Sequence, residues 1–145
     1  MMEPVPKIQF SVVLTNRRGE LAKLAAVMAN AMVNIEALSM SDGIQAGMLK
    51  LVVADPDTAR KAFAAASLSF TEQPICAIPL PNEPGALARL CTMLAEQGHS
   101  IDYVYGSIAS PAPGQGCSCT PVLMLSVADL KATEAVELAA LWPGP

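Results

Sequence analysis

The stretch Leu80-Pro81-Asn82-Glu83-Pro84-Gly85-Ala86-Leu87 decides how the chain is organised, because it has an echo sixty-six positions upstream in Leu14-Thr15-Asn16-Arg17-Arg18-Gly19-Glu20-Leu21. In both copies an apolar, β-branched run leads in and a helical pattern leads out. Leu14 matches Leu80, Asn16 matches Asn82, Gly19 matches Gly85 and Leu21 matches Leu87. Ala22 with Ala88, Leu24 with Leu90 and Ile35 with Ile101 continue the series at the same offset. A repeat this regular is one strand–turn–helix unit written twice.

The turn has a simple chemistry. Asn ahead of a helix accepts a hydrogen bond from one of the first free backbone N–H groups, and Gly in the first turn leaves the other donors uncovered by a Cβ. Together with the helix dipole, such donors attract a carboxylate or a phosphate. The same residues also suit a purely structural turn, Asn as a cap and Gly as a tight contact. Duplication shifts the weight toward binding.

Two copies in 145 residues make halves of about 70 residues each, near the lower limit for a self-sufficient core. Hydrophobic residues are 52% and aromatic ones only 4%, so the cores are built from Ala, Val, Leu, Ile and Met, as suits helices lying on a sheet. A net charge of −4 without any Lys/Arg run argues against a nucleic-acid partner. Met1 to Lys7, with Glu3, Pro4 and Pro6, lacks the apolar region of a signal peptide, so a cytoplasmic location is expected. Leu24 to Val33 is interrupted by Asn30 and too short to span a bilayer, so no membrane role is expected.

Cys76 and Cys91 fall in apolar patterns and read as small buried hydrophobes. Cys117 and Cys119 form Cys-Ser-Cys in a Pro/Gly-rich loop and read as free thiols without metal, since His99 is distant in sequence. No metal or other cofactor is expected.

Alternation of Ile8, Phe10, Val12 and Leu14 against Gln9 and Ser11 predicts a strand over 7–14 with one buried face. Leu21, Leu24, Ala25, Met28 and Met32 predict the stripe of a helix. Strands follow over 33–40 and 48–54. Asp55-Pro56 predicts a helix start whose buried face carries Ala59, Ala62, Phe63 and Ala66. A small strand over 69–71 closes the unit. The second copy runs from a strand over 75–80 through a helix with Leu87, Leu90, Cys91 and Leu94 on its stripe, ended by Gly98. Strands over 101–108 and 121–127 follow, then a helix faced by Ala132, Ala135, Val136 and Ala139. Little chain remains for a last strand, so the second sheet lacks one edge or borrows it from another segment.

Asn-Glu-Pro-Gly-Ala-Leu at 82–87, Ser-Ile-Asp-Tyr at 100–103, Asn-Ile-Glu-Ala-Leu-Ser at 34–39 and the Asp-Pro start at 55 together resemble the ACT domain, in particular the bacterial tandem ACT proteins. The resemblance covers nearly the whole chain and implies an α+β fold of two ferredoxin-like βαββαβ repeats, 7–72 and 73–145. Each would be an antiparallel sheet backed by helices, and the two would lie side by side. It also implies a non-enzymatic regulatory protein that holds a free amino acid between the first turn of one repeat and the second strand of the other. Carried over by position, the ligand-binding residues are Asn16, Gly19 and Leu21, Asn82, Pro84, Gly85 and Leu87, with Asn34, Ile35, Ile101 and Asp102 opposite. Arg18 stands where the second copy has Pro84, so the two sites need not be equivalent. A homodimer is compatible with such a protein.

Two other classes share the pattern. A regulatory subunit acting in trans on an amino-acid biosynthetic enzyme or a transport system carries the same motifs, with a metabolic enzyme as partner. Acylphosphatases share the strand and helix order, but they need a phosphate-cradling loop with Arg and Asn, and the second copy has Glu83 and Pro84 there.

Overall fold

The computed structural model describes residues 5–15, 17–41, 43, 46–81, 83–109 and 120–127. Asn16, Asn82, the Cys117–Cys119 loop and the expected helix around Ala132 to Ala139 lie outside them. The elements are β1 (Val5–Thr15), α1 (Glu20–Asn30), β2 (Ile35–Ser41), β3 (Ala46–Val53), α2 (Pro56–Ala65), β4 (Phe70–Pro79), α3 (Ala86–Glu96), β5 (Ile101–Ala109) and β6 (Thr120–Val127). The chain divides into two units, Ile8–Gln73 and the pair Met1–Lys7 with Pro74–Pro145.

The first unit orders its strands β2-β3-β1-β4, the antiparallel arrangement of a ferredoxin-like βαββαβ fold. Phe10, Val12 and Leu14 lie opposite Leu51, Leu49 and Gly47 on the same face, and that face packs on Leu24 and Met28 of α1 and on Ala59 and Phe63 of α2. Aromatic residues matter more here than their scarcity suggests, because the three phenylalanines of the chain all meet in this core. Phe10 lies 5.4 Å from Phe63 and 5.6 Å from Phe70 in edge-on contacts. Such pairs add about 0.5–1.5 kcal/mol each beyond area burial. The sheet face turned away from the helices is also closed where Gln9 and Val52 stand, both 0% exposed, so the expectation of a single buried face is too simple.

In the second unit the order is β4-β6-β5, and Cys76, Ile78, Leu80 and Leu125 pack on Ala86, Leu90 and Leu94 of α3. Burial pushes the Cys76 thiol up to about 11, leaving it an inert core side chain. The strands expected separately over 69–71 and 75–80 are one continuous strand, β4, whose first four residues group with the first unit and the rest with the second. Pro74, which lacks an N–H, is accommodated within it, and it lies beyond the pairing of β4 with β6 that runs from Cys76 to Pro79. Opposite β6, the neighbour of β4 is β1, whose opening residues Val5 to Lys7 group with this unit. Val5 to Lys7 thus stand where the second repeat would place its last strand.

Helix faces are rotated from the sequence-derived stripes. Leu24 and Met28 are buried and Val27 and Ala31 pack beside them, whereas Leu21 is 40% and Met32 is 92% exposed. Met32 leaves the stripe because the helix has already ended. Its φ is +58°, its N–H bonds Ala29 O, and the Val33 N–H bonds Met28 O, which is the Schellman pattern. Ser67 (φ +55°) ends α2 in the same way, and Gly98 (φ +80°) ends α3 as expected. At the front of α2, Asp55 caps as predicted, accepting from the Thr58 N–H at 3.1 Å and the Thr58 hydroxyl at 2.6 Å.

Candidate functional site

The duplicated turn has the same backbone in both units. Arg17 N–H bonds Thr15 O at 2.8 Å and Glu83 N–H bonds Pro81 O at 2.9 Å. A second bond then closes a four-residue turn, Glu20 N–H to Arg17 O in one copy and Ala86 N–H to Glu83 O in the other. Gly19 (φ 86°, ψ −2°) and Gly85 (φ 91°, ψ −12°) occupy its third position. These angles belong to a type II turn, which wants Gly third and favours Pro second. Pro84 fills that second place and Arg18 its counterpart, so the Arg-for-Pro difference leaves the glycine geometry alike.

Gly19 and Gly85 are also the N-cap residues of α1 and α3, and among the described residues no side chain caps either helix. The cap position thus falls on a glycine three residues after Asn16 and Asn82, which themselves lie outside the described residues. The physical consequence favours a ligand. An N-cap without a side chain leaves the first-turn N–H groups unscreened by the capping residue itself, at the positive end of the helix dipole. Among the described residues, a Cβ built on Gly19 would meet nothing within 4 Å beyond its chain neighbours, and one on Gly85 would meet only Arg89 Nη1, at 3.5 Å.

Leu21 and Leu87, one residue into each helix, are 40% and 48% exposed. Both keep an apolar surface beside the turn instead of joining the core. Lys23 and Arg89 stand one helical turn from the glycines and share the repeat offset, a match that the comparison of apolar and turn residues missed. Lys23 pairs with Glu20 at 2.9 Å, while Arg89 pairs with Glu83 of the turn.

The remaining expected residues lie elsewhere in each unit. Asn34 is exposed and its carbonyl accepts from the Ala54 N–H at 3.0 Å, while Ile35 is half-buried against the first core. Ile101 packs on the second core and Asp102 is exposed. Ile35 lies opposite Val53, whereas the turn follows Thr15, which lies opposite Ala46 at the other end of β3. Ile101 lies opposite Val127, and the turn after β4 follows Pro79 opposite Val122. A single unit therefore keeps its turn and its second-strand start at opposite ends. Both of those starts carry a β-bulge, between Ile35 and Ala37 and between Ile101 and Tyr103, which sets Glu36 and Asp102 out of the regular register.

Among the described residues no group of His, Cys, Asp and Glu is placed to hold a metal ion, and no helix is long and apolar enough to cross a membrane.

Comparison with solved structures finds the same fold in several proteins. Protein BT0572 from Bacteroides thetaiotaomicron is 25% identical, with a TM-score of 0.77 over 93% of this chain and 87% of that one. The ligand-free regulatory subunit of aspartate kinase from Thermus thermophilus is 14% identical, with a TM-score of 0.65 over 96% and 93%. Its counterpart from Thermus flavus is 15% identical, with a TM-score of 0.56 over 96% and 95%. No curated protein matches the sequence. A family model described as an ACT domain pair matches residues 6–112, a span that contains both glycine turns and both bulged strand starts, and the chain belongs to that family.

Proposed function

We propose that this ACT domain pair is a non-catalytic regulator that binds a free amino acid at its glycine-capped helix starts. The observation that carries the reading is the duplication of one backbone feature, a left-handed glycine at the N-cap with no capping side chain among the described residues. A zwitterion suits it. The carboxylate accepts first-turn N–H groups of α1 or α3, and the exposed side chain of Leu21 or Leu87 offers an apolar contact. Asn16 and Asn82 belong to the proposal as further contacts, whereas Asn34, Ile35, Ile101 and Asp102 stand at the other end of their own unit from its turn and are not assigned to that unit's helix start. Binding then biases the protein's action on a metabolic enzyme or transport system.

The test is a melting-temperature screen of the intact chain against the twenty amino acids, followed by calorimetric titration of any that stabilise it. A ligand that binds only the folded state raises stability by about 2.7 kcal/mol at one hundred times its dissociation constant. One or a few amino acids are expected to raise Tm in a concentration-dependent way. No shift with any of the twenty at millimolar concentration would reject the amino-acid reading.

A further inference from the structure

We draw no further inference here: the strongest candidate, the half-exposed apolar residues Leu38 and Met40 on the terminal strand β2 with Val104 at the equivalent position of β5, carries none, because nothing in the structure shows what covers that surface.

Discussion

Arg89 of α3 reaches back over the turn to Glu83, so the second repeat carries a counter-ion for its own cation, whereas the equivalent Lys23 is paired within its helix to Glu20. The side chains of Arg89 and Glu83 are more than half exposed, and a pair so exposed contributes less than about 1 kcal/mol to stability. Glu83→Gln is therefore expected to leave Tm almost unchanged. It is also expected to tighten binding of an amino-acid carboxylate at this turn, because a competing carboxylate is gone. Titration of the variant with the amino acid found by screening checks this. Weaker binding would show that Glu83 assists the ligand.

Gly85 is the position at which the turn itself can be tested. Its φ of 91° makes a β-branched substitution strained, and even an ordinary L-residue in this region loses roughly 1–2 kcal/mol. Asn tolerates the conformation best among non-glycine residues. Gly85→Asn is expected to keep the fold by circular dichroism while its side chain crowds the first-turn N–H groups, weakening amino-acid binding about tenfold or more, the effect of losing roughly 1.4 kcal/mol. Unchanged affinity with an intact fold would exclude this turn as the site. Gly19→Asn supplies the same measurement for the first repeat.

The helix C-termini provide a stability test independent of any ligand. Met32 and Ser67 hold the left-handed position that Gly98 fills in α3. Met32→Gly and Ser67→Gly should each stabilise the chain by about 0.5–1 kcal/mol, the steric relief outweighing the extra freedom glycine brings to the unfolded state. Gly98→Ala should destabilise by a similar amount. Thermal melts of the three variants decide it, and a lower Tm for both glycine substitutions would contradict the cap assignment.

Asp55 predicts a contribution of known sign on the acid side. The Thr58 hydroxyl and then the Thr58 N–H hold its carboxyl below the ordinary value of 3.8. A lowered folded pKa means that the cap's contribution is complete above the unfolded value and is lost as pH falls through the folded one. Asp55→Ala is expected to lower Tm at neutral pH, and the gap to wild type should shrink below about pH 4. A gap that widens in acid would contradict the hydrogen-bonded carboxylate.

Separation of the halves is expected to fail. A cut before Pro74 divides β4 after its fourth residue and takes Val5 to Lys7 away from the unit they group with. Strand ends then present unpaired backbone groups. The fragment 74–145 expressed alone should not melt cooperatively, and a soluble fragment with a sharp transition would overturn the expectation.

Much of this protein was legible without coordinates because it is local. The repeat offset marked both turns, Asp55-Pro56 marked a cap, and Gly98 marked a stop, since each depends on a few adjacent backbone torsions. Residues Leu24, Met28, Leu90 and Leu94 were readable as core from helical spacing alone.

Tertiary structure decided the rest. The sequence could not show that β4 is one strand serving two units, because strand length is set by partners distant in the chain. It could not show Met32 and Ser67 in left-handed backbone, which packing of Val33 and Leu68 on the first core imposes against their own preference. Nor could alternation reveal the bulges beside Glu36 and Asp102, which shift the register by one residue and reverse the faces that follow. The turn and the second-strand start of each unit look close to one another along the chain, yet antiparallel pairing carries them to opposite ends of the sheet. Local torsional preference is written residue by residue, whereas register, shared strands and the distance between two ends of a sheet are set by long-range pairing, which no single stretch of sequence encodes.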